Sequence, residues 1–176
     1  MTERSDTQPT VPPAALSHVA ADGTVRMVDV GEKPVTARSA TAEGFVRISA
    51  ALEERIRANT IAKGSVLDVA RLAGILGAKR TGELIPLCHT IPLDSVDLHA
   101  DIQPGRIRIT ATASTRSRTG VEMEALTAVA VACLTVIDMG KAVDKVMIIE
   151  GVRVLEKHGG RSGSFVAASI DGDPRA

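Results

Sequence analysis

The sequence predicts an α+β domain of the split β-α-β-β-α-β kind, an antiparallel sheet with helices packed on one face. Three observations lead there. Hydrophobic periodicity switches along the chain in the order strand, two helices, hairpin, helix, strand. The stretch from Val121 to Lys141 is a helix apolar on nearly all sides, so it must be covered on all sides, and for a chain of this size another subunit is the usual cover. Finally, 44% hydrophobic residues in 176 suffice for one domain with a real core.

Each element has its local cause. Val35 to Ile48 carries β-branched residues in alternation and reads as a long, bent strand. Ser49 then caps a helix over Ala50 to Asn59, with Glu53 and Arg57 at i,i+4 spacing. A second helix opens at Ser65, with Asp68 at the capping-box position and an apolar stripe of Val66, Val69, Ala70, Ala73 and Leu76. Leu84 to Leu93 is apolar but broken by Pro86 and Pro92, so it is a buried, shaped loop rather than a helix or central strand. S-V-D-L-H-A-D-I and R-I-R-I-T-A-T-A alternate on either side of Gln103-Pro104-Gly105, which marks a hairpin. After the long helix, Val146 to Leu155 reads as the last strand. Polar, Pro-rich ends give flexible tails over 1–15 and 168–176 around a single domain over 16–167.

Composition removes several functions. No Trp, no Tyr and only Phe45 and Phe165 leave no aromatic platform for exposed bases, and 21 Lys plus Arg balance 21 Asp plus Glu. A nucleic-acid partner is therefore not expected, and a small anion suits local clusters of cations better. Cys88 and Cys133 are too few for a disulfide framework or a zinc site, which points to a reducing, cytoplasmic location. No apolar leader and no stretch free of polar groups long enough to span a bilayer are seen, so no membrane partner is expected.

Four groups of residues are candidate sites. Asp138 and Lys141 share a helix face at the end of the long helix, against expected apolar surroundings where opposite charges can poise a proton donor and acceptor. Glu122 and Glu124 at its start suit the helix dipole, with Met123 between them as core or as a ligand's flat neighbour; two residues apart, at most one carboxylate is expected to face a given ligand directly unless the first turn is distorted. Leu87-Cys88-His89 lie in the Pro-broken loop, where backbone N–H groups and one imidazole could hold an anion or a heterocycle edge. Lys63, Lys79-Arg80, and Lys157 with Arg161 around Gly159-Gly160 supply cations, the glycines letting backbone amides approach a phosphate. From these residues alone an enzyme, a nucleotide-sensing module and an oligomerising scaffold all remain open.

Taken in order, M-V-D-V from Met27, A-K-R-T-G-E-L-I-P-L-C-H from Ala78, T-G-V-E-M-E-A-L-T-A from Thr119, D-M-G-K-A-V from Asp138 and K-H-G-G-R-S-G from Lys157 resemble the cyclic pyranopterin monophosphate synthase family. The resemblance runs from about Leu16 to Phe165. It implies a ferredoxin-like fold, a homo-oligomer assembled as a hexamer from a trimer of dimers with active sites between subunits, and a lyase activity. The implied reaction takes a GTP-derived cyclic nucleotide triphosphate to cyclic pyranopterin monophosphate and diphosphate in molybdenum cofactor biosynthesis. It further implies Asp138, Lys141 and Lys63 as catalytic residues, and Leu87, Cys88, His89, Met123, Glu124, Glu122, Lys79 and Lys157 as substrate-binding ones. No protein metal ligand and no cofactor are implied, magnesium being at most a companion of the triphosphate. The chain departs from common family forms at Gly82, Thr90, Gly140 and Arg161.

Overall fold

The computed structural model describes residues 22–161 and 163–168. The expected tails, 1–15 and 168–176, lie outside them apart from Ala168. Along the chain run β1 (Thr36–Arg47), α1 (Ala50–Arg57), α2 (Val66–Lys79), α3 (Thr81–Leu84), β2 (Ser95–Gln103), β3 (Arg106–Ser117), α4 (Glu122–Gly140), β4 (Ile148–His158) and β5 (Phe165–Val166). The sheet order is β2-β3-β1-β4-β5 with every pairing antiparallel. Its four long strands are those the sequence predicts, in the split arrangement of a ferredoxin-like fold.

The predicted start signals are present. The Ser49 hydroxyl accepts from Leu52 N, and the Ser65 hydroxyl both accepts from Asp68 N and donates to the Asp68 carboxylate. Aspartate is one methylene short of the usual capping-box glutamate, and its carboxylate bonds the serine hydroxyl at 2.7 Å. Helix α1 stops two residues before the predicted Asn59, which takes a left-handed φ of 52°. The hairpin turns at Gly105, φ 71°, where a side chain would be strained.

Three features differ from expectation. The short helix α3 occupies Thr81–Leu84 before the Pro-broken loop, and β5 adds a two-residue edge strand. On α2 the buried positions are Val66, Ala70, Gly74, Gly77 and Ala78, whereas Val69 and Leu76 are exposed. The seam is turned towards the glycines because α2 lies close against α4: a Cβ on Gly74 would stand 2.7 Å from the Ala128 carbonyl oxygen and run into Leu98. Small residues let the two backbones approach, so the larger apolar residues of α2 are pushed outwards.

Helix α4 lies across β1, β3 and β4, burying Ala125, Ala128, Val129, Ala132, Cys133 and Val136. By length and hydropathy it could cross a membrane, yet 56% of its apolar stretch is buried within this protein, as suits a core helix. Cover is incomplete: Leu134 on α4 and Leu72 on α2 remain 58% and 61% exposed.

Candidate active site

The first turn of α4 has no side-chain cap, since Val121 holds the N-cap position. Its free N–H groups and positive dipole end favour carboxylates there. Glu122, Met123 and Glu124 all line a cavity of about 650 Å³. The cavity wraps the end of the helix rather than one side of it. The other walls are the Pro-broken loop, with Leu87, Cys88 and His89; the start of β1, with Arg38 and Ser39; and the end of β4, with Lys157 and His158. Segments far apart in sequence meet because β1 lies between β3 and β4 in the sheet.

Burial and charge set the chemistry of this cavity. Glu124 is 4% exposed, and burial, then the neighbouring Glu122 charge, push its carboxyl pKa up. Burial, with the Glu124 charge behind it, also raises the Cys88 thiol, which favours a neutral thiol over a nucleophilic thiolate. Glu122 pairs with Lys157 at 3.5 Å. The cavity therefore offers one buried carboxyl, one ion pair, two imidazoles and a methionine flank, a set that suits a polar heterocycle carrying an anionic group.

The other predicted group lies at the opposite end of α4. Lys63 Nζ donates to Asp138 Oδ2 at 2.9 Å and to the Asp138 carbonyl at 2.8 Å, while Lys141 Nζ donates to Oδ1 at 2.6 Å. These hydrogen bonds, the one from Lys141 first, hold the Asp138 carboxyl at about 2. The apolar surroundings expected for this pair are not found in the single chain: the Asp138 side chain is 57% exposed, because Met139 and Gly140 take the inward positions of that turn. At about 1.5 Å per residue, Asp138 stands about 20 Å along the helix from Glu124. The predicted site residues thus form two clusters, and Lys79, exposed at the end of α2, lines neither.

Sequence reasoning missed several cavity residues. Val28 and Val30, from the M-V-D-V motif, lie in its wall, as do Lys33, Arg38 and His158. Arg38 had a usable signal. It occupies the side of β1 that further along carries Ala40, Ala42 and Val46 into the core, and a cation in that register marks where the core ends and the cavity begins.

The departures from the resembled family also find places. A Cβ on Gly82 would stand 2.7 Å from Thr90 Oγ1, so two of them touch each other beside the Leu87–His89 loop. Gly140 leaves its space to Leu52, whose Cδ2 would be 2.7 Å from an added Cβ.

Comparison with known proteins adds the family. The profile of the MoaC family matches residues 27–160. A cyclic pyranopterin monophosphate synthase of Corynebacterium efficiens is 54% identical over 150 residues, 85% of this chain and 97% of its own. One of Novosphingobium aromaticivorans is 53% identical over 153 residues, 87% of this chain and 98% of its own. One of Streptomyces griseus is 50% identical over 157 residues, 89% of each chain.

Proposed function

The chain belongs to the MoaC family, and we propose that it acts as a cyclic pyranopterin monophosphate synthase, a lyase of molybdenum cofactor biosynthesis. The substrate is the GTP-derived (8S)-3′,8-cyclo-7,8-dihydroguanosine 5′-triphosphate, and the products are cyclic pyranopterin monophosphate and diphosphate. The observation that carries this reading is the convergence of Leu87–His89, Glu122–Glu124 and Lys157 on one cavity of nucleotide-ring size in a chain of that family.

In this mechanism Glu124, Met123 and the Leu87–His89 loop hold the purine-derived ring, and Lys157 faces its anionic side. Opening and rebuilding the rings moves protons between carbon, nitrogen and oxygen, which calls for groups that accept and donate in turn. Asp138 starts as an anion, so it serves as acceptor and as the anchor that aims the Lys63 and Lys141 ammonium groups. Ring closure on phosphate follows: a sugar hydroxyl bonds to the innermost phosphorus as the bond to the outer two phosphates breaks, and diphosphate leaves with the electron pair. Cations offset the charge gathered on the leaving oxygens.

Because the two clusters are about 20 Å apart on one rigid helix, the complete site takes Glu124 from one copy and Asp138 from another. That need favours a homo-oligomer, for which the family resemblance implies a hexamer built as a trimer of dimers, and assembly would also cover Leu72 and Leu134. No resident metal or cofactor is assigned, magnesium entering only with the triphosphate. Two free cysteines and the biosynthetic role support a cytoplasmic location.

The test is direct. Purified protein mixed with the cyclic triphosphate is expected to release diphosphate, and Asp138→Asn to lower kcat by about 10²–10⁴-fold, the usual worth of general acid–base catalysis. A silent wild type, or an undiminished Asp138→Asn, sinks the assignment.

A further inference from the structure

The proposed reaction needs Lys63, Lys141 and Asp138 in fixed relation, yet they come from separate pieces of chain. Lys63 lies in the loop between α1 and α2, Asp138 in the last turn of α4 and Lys141 just after it. Close packing of α2 on α4 brings the pieces near, and a carboxylate outside the site ties them. Asp144 is 4% exposed, and its oxygens accept from two backbone N–H groups, Oδ2 from Ser49 at 2.6 Å and Oδ1 from Val146 at 3.0 Å. We propose that Asp144 is a positioning residue for the reaction, a clamp that fastens the turn after α4 to the start of α1 and so sets where Lys141 and Asp138 stand relative to Lys63. The inference rests on the synthase reading above, and deepens it.

The start of α1 is built to receive this clamp. Ser49 is its N-cap, and the N–H of an N-cap residue is often covered by a glutamate or glutamine three residues on. Here that position holds Leu52, which is buried and packs against Gly140. The donor is taken instead by Asp144, 95 residues further along the chain. A carboxylate there also meets the positive end of the α1 dipole. A local capping duty has thus become a tertiary tie.

Both ends of the tie lead by short, hydrogen-bonded routes to the working groups. On the α4 side, Lys141 N donates to Ile137 O, and Val143 N and Asp144 N both donate to Gly140 O, so Asp144 and Lys141 belong to one tight turn. On the α1 side, Asn59 N donates to Ile56 O, Thr60 N to Arg55 O and Gly64 N to Ile61 O, which braces the path to Lys63. Asp144 itself moves no proton: it is buried, and its oxygens face backbone donors rather than the two lysines. Its effect on turnover passes through Asp138, which Lys63 and Lys141 meet at 2.9 and 2.6 Å. Misplacement by about 1 Å at such contacts is enough to cost on the order of 10²-fold in rate.

The test uses full-length Asp144→Ala and Asp144→Asn, the second keeping one acceptor oxygen but turning an NH2 group towards the other donor. Diphosphate release from the cyclic triphosphate should show kcat lowered about 10–100-fold in Asp144→Ala and less in Asp144→Asn. KM should change little, because the cavity that holds the ring lies at the other end of α4. In a Lys63→Gln background, Asp144→Ala should cost only a small part of its usual factor, since one of the groups it aims is already gone. A carboxylate that merely stabilises the fold would lower the melting temperature and leave the two factors to multiply. A second readout needs no substrate: by carboxyl 13C NMR, Asp138 should begin to take up its proton at a higher pH in Asp144→Ala than in wild type, because Lys63 and Lys141 grip it less well. Asp144→Asn carries both measurements if Asp144→Ala loses its thermal transition. An unmoved Asp138 titration, or losses that multiply in full, overturns the clamp. A wild type without turnover whose Asp138 titration still shifts on replacing Asp144 leaves the clamp standing and overturns the synthase activity instead.

Discussion

The two ends of α4 present carboxylates in opposite states. Glu124, at the N-terminal end, is buried and its pKa is raised; Asp138, at the C-terminal end, is exposed and held at about 2 by Lys141 and Lys63. The helix dipole alone would do the reverse, favouring the anion at the N-terminus. Burial therefore wins at one end and paired cations win at the other. One helix thus carries a buried carboxyl whose neutral form is favoured and an exposed carboxylate held as an anion, while the rod between them keeps the two apart within the chain.

Separation makes the largest effect a genetic one. If each site joins Glu124 of one copy to Asp138 of another, Glu124→Gln and Asp138→Asn proteins are each impaired for a different half of the same site. Unfolding and refolding an equal mixture should then restore roughly a quarter of wild-type activity, because half the pairs are mixed and each mixed pair holds one intact site. Diphosphate release after mixing is the readout. No gain above the separate mutants would place both clusters' work within single chains and break the comparison.

A smaller effect tests what holds the ends in register. Lys63 precedes α2 and Asp138 ends α4, so their contact depends on how closely the two helices pack. Gly74→Ala would press a methyl group towards the Ala128 carbonyl and Leu98, costing about 1–3 kcal/mol as overpacking does. Chemical denaturation should show a lower midpoint with an unchanged slope. Unaltered stability would mean that the seam yields more readily than its geometry suggests.

Legibility followed the range of the forces. The strands, the hairpin and both serine caps were readable because periodicity and capping act over a few residues. The α2 seam departs from the apolar stripe because close helix approach selects glycines, which carry no apolar side chain to mark the face. Asp138, Lys141 and the Leu87–His89 loop could be singled out from local pattern and resemblance together. Arg118 and Lys33 could not: no local rule marks a cation in a loop as part of a cavity, and only the pairing of β1 between β3 and β4 brings them there. Exposure at Asp138 was misjudged for a similar reason, since the apolar turns before it predict what the helix packs on but not which way its last turn faces.

The finest distinction between the ends is a stability difference that depends on pH. Glu124 has a folded pKa above its unfolded one, so its ionisation opposes folding; the cost is absent below the unfolded pKa and grows as pH rises towards and through the folded value. Replacing it by the uncharged Glu124→Gln removes that cost while keeping size and shape. The variant should therefore melt slightly higher than wild type at neutral pH, and the gap should close as pH falls towards the ordinary carboxylate range. At Asp138 the sign is opposite, since its depressed pKa adds stability that is lost only as pH falls through about 2, and solvent screening at so exposed a group keeps that contribution small. Asp138→Asn should accordingly leave the neutral-pH melting temperature nearly unchanged while abolishing most turnover. A Glu124→Gln protein less stable than wild type at pH 7 would show that the cavity's own hydrogen bonds outweigh its burial, and that the carboxyl at that end is held as firmly anionic as the one at the other.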